Sequence, residues 1–326
     1  MQHYSLGAMA GISRCLPYFN RIILSSCLLS GLNPTIVWSH GVIGNRFFPS
    51  TLAIEDPFAN DELSFLGGYI KEPGEEDGEP SANVTSLEAE YAKTITQNVA
   101  VSIGNEYAWV DPDGEKTKQG FGNLDLGVKY QFYTNTTTES VLSASLGVSV
   151  GNTGDTDLEA NDFTTLSPAA LFGQGFGGLP DSAGLFRPMA LTGSADLNFP
   201  LDSTSNMNGE EVRNPVTSGW GVALMYNLHY LQTSVRDMHI KAPFNRMVPI
   251  VEVTGETCLN RGCSGDTTGF VNPGIIWIGK QFQLGAEAQI PINNRTGDDV
   301  GILLQVHLYV DDMSPETLGR PLFVIH

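Results

Sequence analysis

The chain has 326 residues, a formal net charge of −19 at pH 7 and a charged fraction of only 16%, against roughly 25% in an average soluble domain. Nucleic-acid binding needs a basic face, so this charge balance excludes nucleic acid as a partner. An acidic surface instead suits solubility or contacts with divalent cations.

The first 39 residues have the pattern of a signal peptide. Arg14 and Arg21 precede an apolar stretch from Ile22 to Leu32, and the first acidic residue is Glu55. A stretch of 11 residues matches the core of a signal peptide and is too short to span a bilayer. We therefore expect residues 1–39 to direct export and to be removed by cleavage after Ser39.

Two alternatives at this end stay open. Leu24-Ser25-Ser26-Cys27 weakly resembles a lipoprotein box, which would place a lipid anchor on Cys27. Cleavage after Ser39 would leave His40 with a free amine beside its imidazole, a pair that can chelate copper.

Residues 40–61 lie between the predicted cleavage site and the first predicted strand, and they include Arg46-Phe47-Phe48-Pro49. Three arrangements are compatible with this segment. It enters the interior of the domain that follows as a plug, it packs against the periplasmic mouth of that domain, or it is a loose terminus.

From Leu87 onward the sequence repeats one pattern, in which 8 to 14 residues of alternating character precede a turn. A period of two places the apolar residues on one face of a β-strand. The turns are rich in Gly, Asn, Asp, Thr and Pro, as in Asp111-Pro112-Asp113-Gly114. The twelve predicted strands span Glu62–Ile70, Ser86–Thr94, Asn98–Trp109, Leu124–Tyr133, Leu142–Val150, Thr164–Phe172, Arg187–Phe199, Trp220–Tyr230, Met247–Thr257, Phe270–Ile278, Phe282–Ile290 and Ile302–Val310. Counts of about 10 or 14 strands are compatible with the same pattern.

Strand length and aromatic placement distinguish a membrane barrel from a soluble sandwich. The predicted strands run about 10 residues, which matches a tilted bilayer crossing, whereas soluble strands average about five or six. Their apolar faces end on Tyr and Trp and their other faces carry Gly, Ser and Gln, as in the aromatic girdles and polar interior of outer-membrane barrels. No later stretch holds 18 apolar residues, so any membrane spans must be strands of a closed barrel.

The predicted fold class is therefore all-β, a transmembrane antiparallel up-and-down β-barrel of about 12 strands. The barrel is expected over residues 62–310, and residues 311–326 form a C-terminal tail.

Cys258 and Cys263 are five residues apart, beside Asn260 and Gly262. This spacing predicts a small disulfide across a loop in an oxidising compartment. A metal site would need more ligands, and no His or second Cys pair is near in the sequence. We expect no metal and no cofactor.

Alternation directs a set of polar side chains into the lumen. The predicted lumen-lining residues are Glu88, Glu90, Glu106, Asp125, Lys129, Gln131, Asn227, His229, Glu252, Gln283, Glu287, Gln289, Gln305 and His307. Ionised groups in a narrow tube must pair, hydrate or change protonation. The six acids of this set either pair with Lys129, Arg187 or Arg46, or line a path that favours cations.

Catalytic motifs do not support an enzyme. No Gly-x-Ser-x-Gly elbow, His-Glu-x-x-His, phosphate loop or dinucleotide fingerprint stands in the strand–helix context that such motifs need. His229 and His307 share faces with Asn227 and Gln305, which favours a structural or pore-lining role for both over catalysis or metal binding.

The chain resembles the MetA-pathway of phenol degradation family of outer-membrane proteins, through motifs spread over most of residues 42–323. The motifs are Gly122-Asn123-Leu124-Asp125-Leu126-Gly127-Val128-Lys129-Tyr130-Gln131-Phe132, Gly175-Phe176-Gly177-Gly178-Leu179-Pro180-Asp181, Arg187-Pro188, Thr192-Gly193, Pro273-Gly274-Ile275-Ile276-Trp277, Asp311-Asp312 and Gly319-Arg320-Pro321-Leu322-Phe323. The resemblance implies a transporter-like barrel channel linked to the breakdown of aromatic compounds, with no established catalytic residues. One departure is the end Phe323-Val324-Ile325-His326, where barrels usually end on an aromatic strand residue.

The expected function is an outer-membrane channel for passive or selective passage of small solutes, with apolar or aromatic compounds among the candidates. A barrel of about 12 strands lies between eight-stranded barrels filled by side chains and 16-stranded open porins, so we expect a narrow, selective or plugged conduit. The alternatives are a non-conducting structural or surface-interaction barrel, and an outer-membrane hydrolase. We expect the bacterial outer membrane as the location. The expected partners are its lipid and lipopolysaccharide, the barrel-assembly machinery and small-molecule solutes.

Overall fold

Twelve antiparallel strands close into a barrel in the computed structural model, which describes residues 41–74, 80–158, 160–207, 210–261, 263 and 265–323. The strands are β1 (Glu62–Glu72), β2 (Ala82–Thr96), β3 (Val99–Pro112), β4 (Leu124–Asn135), β5 (Ser140–Val150), β6 (Thr165–Gly175), β7 (Met189–Pro200), β8 (Thr217–Tyr226), β9 (Met247–Cys258), β10 (Thr267–Ile278), β11 (Phe282–Pro291) and β12 (Gly301–Tyr309). Each strand pairs with its neighbours in sequence, and β12 pairs with β1 to close the ring, with Tyr309 opposite Glu62. The predicted fold class and the number of strands are confirmed. The predicted signal peptide, its cleavage site and the copper and lipid alternatives lie outside the described residues.

The alternation of side chains on β12 shows how the wall is built. Ile302, Leu304 and Val306 point outward, with 50%, 57% and 42% of their surface exposed, whereas Leu303 and Gln305 are buried inside. Because an apolar outer band would be unfavourable in water, this wall suits lipid. Exposed aromatic side chains lie towards both ends of the strands, among them Tyr69, Trp109, Phe199, Tyr130, Phe132 and Tyr133, as in the girdles of outer-membrane barrels.

The two ends of the barrel differ. We call the end where β1 begins and β12 ends the terminus end, and the opposite end the far end. The far end carries the loop with the predicted disulfide, Cys258 to Cys263, whose Cα atoms are 5.6 Å apart, and a hairpin of Thr204–Met207 with Glu210–Arg213. The short strand Lys118–Phe121 extends the wall beside β3 at this end.

Helical structure in the described chain consists of short turns, and none of these helices is long and apolar enough to cross a membrane. They are Thr156–Leu158, Asp181–Phe186, Leu228–Tyr230, Leu231–Val235, Phe244–Arg246 and Val310–Met313.

One predicted strand, Trp220–Tyr230, is too long. The strand β8 ends at Tyr226, and Asn227 caps the helical turn that follows by accepting a hydrogen bond from the Tyr230 backbone N–H. Asparagine is a strong N-cap residue, and here the cap overrides the alternating pattern. His229 is therefore exposed in a helical turn, and its placement on the lumen wall is wrong.

Residues 41–61, which we call the inner segment, lie inside the barrel. The segment begins with a small hairpin of Val42–Ile43 and Arg46–Phe47 at the terminus end. Its short strands pair with each other and, in the described part of the chain, with no barrel strand. Most of its side chains are buried, and Leu52, Ala53 and Ile54 pack with inward-facing residues of the wall.

A charge on the outer face of β12 tests the orientation of the wall. Leu304→Arg should cost about 2–4 kcal/mol of folding free energy, because arginine near the bilayer midplane is poorly solvated. Urea titration of protein folded into lipid vesicles measures this loss.

The control is Val300→Arg, in the loop before β12, where the side chain is already exposed. Equal stability of the two variants would contradict a lipid-facing position for Leu304.

Candidate functional site

The structure places 13 of the 14 predicted lumen residues on the inner surface, buried or half-buried, and His229 is the exception. The inner segment occupies the lumen at the level of many of them. The candidate site is therefore the contact between the inner segment and the wall, together with the lumen beyond it towards the far end.

Glu252 on β9 holds the deepest part of the inner segment. Its two carboxylate oxygens accept hydrogen bonds from the backbone N–H groups of Leu52, at 2.9 Å, and Ala53, at 2.6 Å. Buried backbone donors need acceptors, and the segment has no strand partner here. A wall side chain takes that role.

Two wall glutamines bind the backbone next to this point. Gln283 accepts from the Ser50 N–H at 3.1 Å and donates to the Ser50 carbonyl at 2.6 Å. Gln305 donates to the Thr51 carbonyl at 2.9 Å and accepts from Gln283 at 2.7 Å. An amide side chain carries both a donor and an acceptor, so each can imitate the edge of a neighbouring strand.

The tip of the inner segment, Leu52 to Ile54, packs on an apolar part of the inner wall. The wall residues in this cluster are Ala223, Met225, Val248, Ile250, Ile276 and Leu303. Gly221 and Gly285 admit the tip, since an added Cβ would lie 2.1 Å from Ile54 Cγ2 and 2.6 Å from Leu52 Cδ1. The inner wall can be apolar at this point because its side chains under the tip are covered by protein and not by water.

Lys129 on β4 binds the part of the inner segment that returns towards the terminus end. Its ammonium group lies 3.2 Å from a Glu55 carboxylate oxygen and 3.7 Å from one of Asp56, and it donates to the Asp56 carbonyl at 2.8 Å. Ser143 on β5 donates to the Pro57 carbonyl. The acids that pair with Lys129 thus come from the inner segment, a source that alternation within the strands could not reveal.

A small cavity lies beside this contact. The cavity between Phe58, Lys129 and strands β2 and β3 is about 20 Å³, room for roughly one water molecule. A cavity of this size is too small to pass a solute.

Arg46 fixes the inner segment at the terminus end. Its fully buried guanidinium lies 2.6 Å from Glu139, donates to the carbonyls of Arg187 and Pro188, and stacks 4.1 Å from the centre of the Tyr230 ring. Tyr230 donates to the second Glu139 oxygen at 3.0 Å. Burial raises the pKa of Tyr230, and the Glu139 carboxylate raises it further, so the phenol keeps the proton that it donates.

The Arg46 network joins four stretches of chain that are distant in sequence. They are the inner segment, the β4–β5 turn, the β6–β7 loop and the helical turn after β8. Sequence reasoning named Arg46 and Arg187 as possible partners for lumen acids but missed Glu139, because a turn residue carries no alternation signal.

Beyond the inner segment, towards the far end, the inner wall is acidic. Glu88 on β2 is directly opposite Glu106 on β3. Gly104 on β3 pairs with Glu90 on β2 at one side and with Asp125 on β4 at the other. Asp125 lies four residues beyond Lys129 along β4, about 13 Å in an extended strand. The wall changes there from basic to acidic.

Two further inward acids, Asp196 on β7 and Glu256 on β9, extend the acidic wall. Both are cross-strand partners of Gly219 on β8, and a Cβ at Gly219 would lie 2.5 Å from an Asp196 oxygen. The sequence prediction omitted them, although Leu197 and Phe199 on the outward face of β7 give the alternation that would have placed Asp196.

Comparison with known proteins supports the fold. No protein-family model and no curated protein sequence matches the chain. Its structure is similar to the crystal structure of an outer membrane channel from Pseudomonas putida F1, with a TM-score of 0.56 and 12% identity over 81% of this chain and 99% of that one. Lower similarities are found to the NanC porin (TM-score 0.47, 9% identity, 76% and 98% coverage) and to the β domain of the Bordetella autotransporter BrkA (TM-score 0.44, 13% identity, 77% and 99% coverage).

These similarities are too distant in sequence to carry more than the fold. The channel from Pseudomonas putida F1 has the same barrel fold, and the closed ring with its apolar outer band suits the bacterial outer membrane, as predicted. None of these three structures carries the name of the MetA-pathway family.

Loss of Arg46 should loosen the inner segment. Arg46→Met leaves the Glu139 carboxylate buried without its cation, and removing one partner of a buried pair costs about 3–5 kcal/mol. Hydrogen exchange of the amides in residues 41–61 should accelerate accordingly, and Arg46→Met with Glu139→Gln should recover part of the loss.

Lys71→Met is the matched control, because it breaks an exposed ion pair, Lys71 with Asp113, and should leave this exchange unchanged. Normal protection of the inner segment in Arg46→Met would show that the buried network does not hold it.

Proposed function

We propose that this protein is a gated outer-membrane channel for small solutes, in which the inner segment is the gate. The observation that carries the proposal is how the segment is held. Wall side chains such as Glu252 and Gln283 bind its backbone, so it can leave the lumen without breaking any strand pairing of the barrel.

The acidic inner wall supports conduction over a purely structural role. Carboxyl groups on β2, β3 and β4 approach one another, with Glu88 directly opposite Glu106. Like charges directly opposite each other destabilise a sheet, and a barrel with no aqueous path would gain by filling this region with apolar side chains. A hydrated path in which these acids attract cations gives them a use.

The wall under the inner segment suggests which solutes pass. Departure of the tip would uncover Met225, Val248, Ile250, Ile276 and Leu303. An apolar strip beside polar groups suits small neutral compounds with an apolar or aromatic body. This agrees with the motif resemblance to the MetA-pathway family, and the acids towards the far end disfavour anions.

The second candidate is a non-conducting structural barrel, favoured by the small cavity left beside the inner segment. A reducible disulfide between the inner segment and the wall distinguishes the gated channel from the structural barrel. An added Cβ at Gly285 would lie 3.2 Å from Leu52 Cγ, so cysteines at positions 52 and 285 are within disulfide range.

The variant Leu52→Cys with Gly285→Cys should give no single-channel current in planar bilayers when oxidised and should conduct after reduction. Leu52→Cys alone, with the same native disulfide and with Gly285 kept, is the control and should be insensitive to reductant. Equal currents from locked and unlocked barrels would exclude the inner segment as the gate. The absence of any current in all forms, and of swelling in liposomes given small neutral aromatic solutes, would favour the structural barrel.

Ion selectivity tests the acidic wall. Glu106→Gln with Asp125→Asn should reduce the preference for K⁺ over Cl⁻, measured as a smaller reversal potential in a KCl gradient, because the variant removes two carboxylates from the proposed path. Asp157→Asn, in an exposed turn at the far end, should leave the potential nearly unchanged. An unaltered potential in the double variant would place the conducting path elsewhere.

A further inference from the structure

Three buried polar side chains meet on the inner wall beside the tip of the inner segment. Glu252 on β9 and Asn272 on β10 are direct cross-strand partners, and Glu287 on β11 is opposite Gly274 on β10. Their exposed fractions are 0%, 0% and 3%. They belong to three adjacent strands and share the inward face.

Gly274 allows Glu287 to reach its neighbour two strands away. A Cβ at Gly274 would lie 2.3 Å from Glu287 Cγ, so the Glu287 side chain crosses the glycine towards β9. Its carboxyl group comes to lie beside that of Glu252 and interacts with it directly.

Several polar atoms of this group have no hydrogen-bond partner within the part of the chain that the structure describes. Apart from the contact between the Glu287 and Glu252 carboxyl groups, they are both carboxylate oxygens of Glu287 and both amide atoms of Asn272. Buried polar atoms in folded proteins almost always have partners, and an exception calls for an ion or a water that satisfies it.

The charges at this point also need compensation. Both Glu252 oxygens act as acceptors for the inner segment, the role of an ionised carboxylate. Among the described residues Glu287 forms no ion pair, and the buried basic side chains, Arg46 and Lys129, are bound by Glu139, Glu55 and Asp56. Two carboxyl groups side by side in a buried site require a positive charge or a shared proton.

The donor set selects the kind of cation. Carboxylate and amide oxygens are hard ligands. Metals that prefer thiolate or imidazole ligands are therefore poor candidates for this site. Among the described residues no three acidic, histidine or cysteine side chains gather around a metal-sized space, so the shell is two carboxylates, one amide oxygen and water. Ca²⁺ accepts six to eight oxygen ligands in flexible geometry, whereas Mg²⁺ demands a near-ideal octahedron.

We propose that Glu252, Asn272 and Glu287 bind one Ca²⁺ ion, and that the ion holds the inner segment in the lumen through Glu252. The site does not depend on conduction, since a non-conducting barrel would bind the ion equally well. Because binding free energies are reciprocal, Ca²⁺ should protect the inner segment and the seated segment should strengthen Ca²⁺ binding.

The test uses the full-length barrel in detergent, freed of metal with a chelator and then equilibrated with ⁴⁵Ca²⁺. We expect about one ion per chain, and an affinity at least roughly tenfold weaker in Glu287→Gln, because calcium affinity follows the number of charged ligands. Asn272→Asp adds a charged oxygen ligand and should bind Ca²⁺ more tightly, so the proposal does not rest on loss alone. Asp157→Asn removes an equal charge from the exposed turn at the far end and should leave the stoichiometry and affinity unchanged.

Hydrogen exchange of residues 41–61 with and without Ca²⁺ provides the second readout. Added Ca²⁺ should slow this exchange in the wild type and not in Glu287→Gln. The proposal is overturned if the wild type binds no Ca²⁺, if Asp157→Asn weakens binding as much as Glu287→Gln, or if protection of the segment depends on pH and not on Ca²⁺, as a shared proton would require.

Discussion

A strand in contact with lipid has no water to satisfy its backbone, so every N–H and C=O group of the wall must find a partner in another strand. The pairing of β12 with β1 meets this requirement where the ring would otherwise have two open edges. Closure also creates an interior that lipid cannot enter, and everything inside must be satisfied by protein, ions or water. In one part of the interior the inner segment covers the wall side chains. In the other part the wall carries acidic side chains that ions or water can solvate.

The inner segment solves its own backbone problem differently from the wall. Its short strands pair only with each other in the described chain, and wall side chains such as Glu252, Gln283 and Gln305 supply further acceptors and donors. A strand inserted into the ring would be held by a continuous ladder, and its removal would open the barrel. Contacts made by side chains are fewer and separable, so the filling of the lumen and the integrity of the wall are independent.

The barrel strands can be predicted from the sequence because alternation with a period of two is a local property of each strand. Ile302, Leu304 and Val306 can be assigned to one face without knowledge of any other strand, and the twelve strands follow from the same rule. His229 is where this rule fails, since the cap provided by Asn227 turns the chain away from the wall.

The position of residues 41–61 depends on contacts between residues that are far apart in sequence. Arg46 and Glu139 are 93 positions apart, and Leu52 and Glu252 are 200 positions apart. No local pattern encodes such contacts, and for that reason the sequence left three arrangements open, and Glu139 and the apolar patch under Leu52 escaped prediction.

Both limbs of the inner segment lie at the same mouth of the barrel. Arg46 contacts the turn between β4 and β5, and Asp61 binds Thr94 near the end of β2, both at the terminus end, while Leu52 to Ile54 lie deepest. The segment is thus a loop that enters the barrel and leaves it at the same mouth. It does not cross the barrel from one end to the other. Because both ends of residues 41–61 lie at one mouth, withdrawal of this segment would not require either of its ends to pass through the lumen.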